Sequence, residues 1–313
     1  MASNLTISSS SYAGELALPY ISAAVLSGDT IANNYVTVKE NVKYKMVLKT
    51  LSSTSIVKAW GCDFDNADSA LTLAERVLTV TDLKVNVEVC KDQFAKDWEA
   101  AQTGRGFIND TIPANFADFL IAHLSGKVAE NIEYTLWQGN FESSSYTSFN
   151  GILKVLDTAK SGTPDVDFAN AFTASNVIAS LETLMAALPA TLIGDASVKL
   201  YVNRKTAQLY RQALSALGYL QQFNAASNYP LMFDGYEIYV CPGIPDNVAL
   251  FAKPENLFFG TDTVSDFNEV KVVDMSVTDG SDNVRMVMKF RAGTQVAVPA
   301  EAILGFMNPS SSL

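Results

Sequence analysis

The 313 residues carry 22 basic and 33 acidic side chains, a net charge of −11, and 48 % hydrophobic against 18 % charged residues. That hydrophobic content excludes a disordered chain. The acidic balance excludes a dedicated nucleic-acid binder, which needs a basic face to release counterions, and argues against docking on anionic membranes.

The length holds one large domain or two modest ones sharing a core. The low charged fraction fits either a well-packed monomer or a chain whose apolar surface is covered by neighbouring subunits. Passive enclosure of DNA stays compatible with a mildly acidic wall.

In chain order, residues 1–38 predict an arm: a Ser-rich start (Ser8, Ser9, Ser10, Ser11), a modestly apolar piece, then Gly28-Asp29. No Lys or Arg precedes Lys39, so the apolar run at 16–26, interrupted by Pro19, lacks the basic start of a secretory signal. It is also too short to span a bilayer. Val42, Tyr44, Met46 and Leu48 alternate with Lys43, Lys45 and Lys49, which predicts a half-exposed strand. A second strand is predicted at Val85, Val87 and Val89. Residues 52–82 between them form a Ser/Thr/Asp-rich excursion, and the whole predicts a long β-hairpin or loop.

Thr111-Ile112-Pro113 opens a long helix, in which Phe116, Leu120, Leu124, Val128, Ile132 and Leu136 recur every four residues up to a stop at Gly139. A short strand is expected at 152–156. A helix at 175–188 ends at Pro189, and a strand follows at 198–202. Asn203 caps a helix running to Leu217, closed by Gly218. Strands are expected at 236–240, 248–252 and 270–277. Asp279-Gly280 turns the chain into a strand through Met286, Met288 and Phe290, and a last strand is expected at 294–298.

Residues able to carry chemistry are few. Cys62, Cys90 and Cys241 are odd in number and widely spaced, which permits neither a disulfide framework nor a CxxC zinc site. They read as reduced, mostly buried thiols of a cytoplasmic protein, which leaves the sequons at Asn4 and Asn109 without meaning. The single histidine, His123, sits among Leu120 and Leu124 with no partner for acid–base or metal chemistry. Asp63, Asp65 and Asp68 begin like a calcium loop, but Ala67 and Asp68 occupy positions that need an acid or Asn and a Gly. Thr103-Gly104-Arg105-Gly106 is too short to cradle a phosphate and reads as an elbow before the long helix. Glu130 and Glu133 read as a solvated helix face. No cofactor, metal or catalytic residue is expected.

Phe149-Asn150-Gly151-Ile152-Leu153 and the run Pro254-Glu255-Asn256-Leu257-Phe258-Phe259-Gly260-Thr261-Asp262, followed by Val284-Arg285-Met286 and Gly293-Thr294-Gln295-Val296, resemble the major capsid proteins of tailed bacteriophages. The resemblance implies an α+β, HK97-like capsid fold. Its parts would be an arm at 1–38, an extended loop at 39–92, a spine helix with part of the peripheral domain at 93–164, an axial domain at 165–265 and peripheral strands at 266–313. It implies a shell subunit that self-assembles into hexamers and pentamers, with portal and scaffolding or cement proteins as partners. Such a shell encloses double-stranded DNA without sequence-specific binding or membrane contact. The short arm implies no large fused scaffolding segment. Some members crosslink Lys to Asn; Lys49, Lys58 and Asn283 are the residues in the corresponding regions, and no motif pairs them. A nanocompartment shell of the same fold, and a soluble enzyme using carboxylates, are the alternatives.

Overall fold

The computed structural model describes residues 11–12, 29–53, 60, 62, 71–90, 114–141, 147–161, 165–218, 231–262, 270–277, 280–281 and 283–307. In chain order these form strand β1 (Ser11–Tyr12), helix α1 (Asp29–Ala32), β2 (Thr37–Lys39), β3 (Lys45–Ser53), β4 (Leu71–Thr79), β5 (Thr81–Cys90) and helix α2 (Ala114–Gln138). Then come α3 (Ile152–Ala159), β6 (Val166–Asp167), α4 (Val177–Ala186), β7 (Lys199–Val202), α5 (Arg204–Ala216), β8 (Met232–Phe233) and β9 (Tyr236–Val240). The chain closes with β10 (Val248–Ala252), β11 (Leu257–Thr261), β12 (Val270–Asp274), β13 (Asn283–Val296) and β14 (Ile303–Phe306).

Two units share these elements. One comprises residues 1–28, 82–132 and 262–292; the other comprises 29–81, 133–261 and 293–313. Three of the boundaries fall inside elements, namely β5, α2 and β13. In the first unit β12 pairs antiparallel with β1 (Ser11↔Lys271) and with β13 (Val272↔Met286). Strand β5 also pairs with β13.

The second unit is built on a six-stranded mixed sheet ordered β6-β14-β10-β7-β9-β8. Every residue of the central strand β10 is buried, as expected of a strand covered on both faces. Ala249 and Phe251 on one face pack with Val177, Leu181 and Leu184 of α4 and with Ala207, Tyr210 and Ala213 of α5. Tyr201 of β7 points to the other face, where its ring meets Trp137 of α2 at 5.6 Å. Asn203 caps α5 as its sequence predicts, with Oδ1 accepting from the Thr206 N–H at 2.7 Å.

Helix α2 starts one residue after Pro113 and runs 25 residues, about 37 Å at 1.5 Å each. Gly139 follows it, but not as a left-handed stop. A Cβ there would collide with the Phe149 carbonyl oxygen, and Gly151 N–H donates to the Gly139 carbonyl at 2.7 Å. The glycine permits close chain approach.

Several sequence expectations are corrected. Residues 152–156 open helix α3 rather than a strand, because Ile152, Leu153 and Leu156 form one buried helical face; so short an apolar run does not distinguish the two. The partner of β3 is β4, inside the stretch read as a spacer, with Lys45 opposite Thr79 and Ser53 opposite Leu71. Leu73 to Val77 spans Ala74, Glu75 and Arg76, which are helix formers, and pairing overrides that local preference. Strand β5 does alternate as predicted, but against β13. The expected strands around 286 and at 294–298 are one continuous 14-residue strand, β13. Strand β12 stops at Asp274, and residues 275–277 form a 3-10 turn.

Candidate functional site

The hairpin β3–β4 has two ends in opposite environments. At its root Leu48 and Leu78 are buried with Val42 and Val80, and Phe258 and Ala297 pack on this cluster. Val42 N–H donates to the Thr261 carbonyl (3.1 Å), and Gln295 Nε2 donates to the Val77 carbonyl (2.7 Å). Two glycines allow this seat. A Cβ on Gly260 would lie 2.9 Å from Leu78 Cδ2, and one on Gly293 would collide with the Thr79 carbonyl oxygen. The Phe259-Gly260-Thr261 and Gly293-Thr294-Gln295 stretches singled out in the sequence therefore form the socket of the hairpin.

On the face turned away from Leu48 and Leu78 the register sets Val47 opposite Val77, Lys49 opposite Glu75 and Leu51 opposite Leu73. Cross-strand partners share a face. One face thus carries two apolar pairs flanking a Lys49–Glu75 pair at 4.0 Å. Val47 and Val77 are 46 % and 40 % exposed, Leu51 and Leu73 are 67 % and 56 %, and Trp60 in the connection is 93 %. Alternation predicted Tyr44 and Met46 to share the environment of Val42 and Leu48. Both are instead exposed, although buried Val42 and Leu48 lie on either side of them in the chain. This arrangement can bind an apolar partner.

A second cluster joins α1 to α2. Glu133 lies on the helical line of Ala129 and Trp137 and is only 4 % exposed, which corrects its reading as solvated. Glu130 does face solvent, paired with Lys127 at 2.7 Å. The Glu133 carboxylate accepts from the Thr30 N–H (3.1 Å) and from the Thr30 hydroxyl, and Trp137 Nε1 donates to that hydroxyl at 3.0 Å. Burial pushes the Glu133 carboxyl above the ordinary carboxylate range. Bonds from Thr30 and the Gly243 backbone oppose this, and the Asp29 charge adds to it. Nearby Cys241 is fully buried, and burial pushes its thiol well up, which removes it as a nucleophile. Tyr201 donates its hydroxyl to the Tyr35 carbonyl at 2.6 Å, and Tyr35 stacks on Tyr239 at 3.9 Å. Nothing in the amino-acid pattern distinguished Glu133 from Glu130 beyond the three-residue step that carries it over the edge of the apolar stripe.

In the first unit, Arg291 bridges Asp82 and Asp262, the latter at 2.9 Å. Glu88 accepts from Asn283 Nδ2 (2.6 Å) and Arg285 Nε (2.9 Å). Asn283 is therefore engaged within its own chain, while Lys49 faces Glu75. An open depression of about 530 Å³ is lined by Met185, Ile193, Gly194, Asp195, Asp234 and Tyr236. Lys253 at 2.7 Å, together with Ser197, holds Asp195 well below the usual carboxylate range, so it is no general acid.

Of the cysteines, Cys62 is exposed, Cys90 half-buried and Cys241 buried, so the expectation of mostly buried thiols holds for one of three. The His123 side chain, Asp63, Asp65, Asp68, Lys58, the 103–106 elbow and both sequons lie outside the described residues. Among the described residues no three His, Cys, Asp or Glu side chains converge as metal ligands, and no helix is long and apolar enough to cross a membrane.

A family model described as "Phage capsid family" matches residues 105–306. Among solved structures, the chain is similar to one from Gordonia phage Cozz, at 12 % identity and a TM-score of 0.60, covering 90 % of this chain and 87 % of that one. It is similar to a chain of the satellite phage P4 procapsid including size determination (Sid) protein, at 10 % identity and a TM-score of 0.57, covering 92 % and 98 %. It is also similar to a capsid chain of a native GTA particle, at 15 % identity and a TM-score of 0.58, covering 91 % and 96 %. At such identities the likeness is one of fold. A comparison with curated proteins finds no match.

Proposed function

The chain belongs to the phage capsid family, and from that premise we propose that it is the major subunit of an icosahedral phage head, set in hexamers and pentamers around double-stranded DNA. The family itself makes the chain an HK97-like α+β structural subunit, not an enzyme, that associates with its own copies in the capsid of a virion. No observation favours a nanocompartment shell or a carboxylate enzyme.

Within this reading residues 1–38 are the arm, 39–92 the extended loop, 93–164 the spine helix with part of the peripheral domain, 165–265 the axial domain and 266–313 the peripheral strands. Portal and scaffolding or cement proteins are further partners. DNA is enclosed without sequence-specific contacts, and assembly takes place in the host cytoplasm.

The observation that carries the reading is the hairpin. A two-stranded element is marginal alone, and this one exposes paired Val and Leu side chains on one face. A neighbouring copy that covers such a face supplies the missing second layer. An obligate shell subunit buries well over about 2,000 Å² against its neighbours.

The experiment is expression of the chain alone, followed by size-exclusion chromatography and negative-stain microscopy. Rings of five or six, or closed shells, are the expected result; a chain that stays monomeric under crowding overturns the proposal. Deleting residues 1–28 tests the arm. The cut stops there because Thr30, Ile31 and Val36 are buried and β2 pairs with β11. A folded core that makes no shells is expected, and normal shells would refute the role of the arm.

A further inference from the structure

Glu133 is a buried carboxylate with hydrogen-bond donors around it and, among the described residues, no Lys or Arg in an ion pair with it. Its donors are the Thr30 N–H, the Thr30 hydroxyl and the backbone at Gly243. Trp137 Nε1, itself fully buried, completes a relay through the Thr30 hydroxyl. We propose that Glu133, Thr30 and Trp137 form a proton-sensitive latch that sets how firmly the chain entering at residue 29 is held against α2.

The first support is local. Helix α1 is four residues long, and one turn does not hold itself together. Its attachments include burial of Thr30 and Ile31, an exposed Asp29–Arg204 ion pair and the bonds at Glu133. An exposed ion pair contributes little. The buried bonds at Glu133 therefore form the strongest polar contact at this point of the chain.

The second support is the surroundings. From α1 the facing charge is Asp29, which repels a carboxylate and is engaged by Arg204 of α5. From the turn after β9 comes Cys241, bonded to the Thr30 hydroxyl. Tyr201 of β7, Tyr239 of β9 and Tyr35 stand beyond it. Burial holds the thiol and these phenols neutral through the physiological range, which leaves the two carboxyls, buried Glu133 and half-exposed Asp29, as the groups that change charge below neutrality; Glu133→Gln separates them.

Linkage gives the direction. Release of residues 29–36 would hydrate Glu133 and return its carboxyl toward the ordinary range, so the docked form binds the proton more tightly even though the Thr30 bonds oppose this. Its contribution is fully present below the ordinary carboxylate value and is lost as pH rises through the raised value. The latch is tight in acid and loosens toward neutrality. Ionisation of Glu133 thereby eases release of the segment that leads to residues 1–28. The consequence for assembly rests on reading that segment as the arm; the titration does not.

The test is hydrogen exchange by mass spectrometry on the full-length, unassembled chain, corrected for intrinsic rates, from about pH 4.5 to 7.5. The expected result is an opening equilibrium for residues 29–36 that rises about tenfold per pH unit inside the window set by Glu133, with residues 248–252 unchanged. Glu133→Gln should flatten that profile. Thr30→Val, which keeps the volume and removes a donor to the carboxylate, should move the midpoint to higher pH. A flat wild-type profile, an unchanged profile in Glu133→Gln or a fixed midpoint in Thr30→Val overturns the latch. If the titration follows the proposal while shells form equally at both ends of the range, the latch stands and the arm reading falls.

Discussion

Strands β3 and β10 both carry Val and Leu side chains, and these end in opposite environments. In β10 every residue is buried, because α4 and α5 cover one face of its sheet and Trp137 meets Tyr201 on the other. In β3 Leu48 is the one buried residue among those described, and Val47 and Leu51 face solvent in register with Val77 and Leu73. β3 interleaves its Val and Leu with Lys, Thr and Ser, whereas β10 is apolar throughout, and only for β10 does this chain supply a layer on both faces. In β10 the fold is completed within the chain. In the hairpin it is completed only at the root, which leaves a stripe suited to a neighbour.

The comparison can be broken first at the core. Phe251→Ala, at a wholly buried ring, should cost about 3–5 kcal/mol and abolish assembly together with stability, as read by urea unfolding. Gly293→Val attacks the joint between the two regions. Its side chain meets the Thr79 backbone, which cannot yield as a flexible side chain would, so a loss of about 1–3 kcal/mol is expected. The accompanying rise in amide exchange should be confined to β3 and β4, with β10 protected.

The double change Leu51→Ser and Leu73→Ser sharpens the contrast. Both residues are more than half exposed, so stability of the isolated chain should stay within about 0.5 kcal/mol while shells disappear under the microscope. Unchanged shells would remove the hairpin face as a contact. Smallest of all, Arg204→Ala breaks an exposed pair and should shift the melting profile by less than about 1 kcal/mol.

The longer helices α2, α4 and α5 were legible because their signals are local. The four-residue repeat of α2, the Asn203 cap of α5 and the apolar face of α4 each declare themselves within a few turns. Strand pairing was not legible. The predicted strand at Val85, Val87 and Val89 exists, yet its neighbour β13 lies some 200 residues along the chain, and the actual partner of β3 carries helix-forming residues. The site was half visible. Phe259-Gly260-Thr261 stood out in the sequence, but its purpose, a notch for Leu78, needed both chains in place. Glu133 was misread because i, i+3 neighbours on a helix stand on either side of the line between core and water.

By itself the sequence determined an acidic α+β chain without catalytic pattern, with a long helix and a capsid-like order of parts, since composition and short-range periodicity are properties of the chain alone. Only the tertiary structure decided which apolar side chains stay exposed, which carboxylate is buried on the Thr30 donors and which glycines must lack a Cβ. Those properties depend on what stands opposite each residue, and residues far apart in the chain supply it.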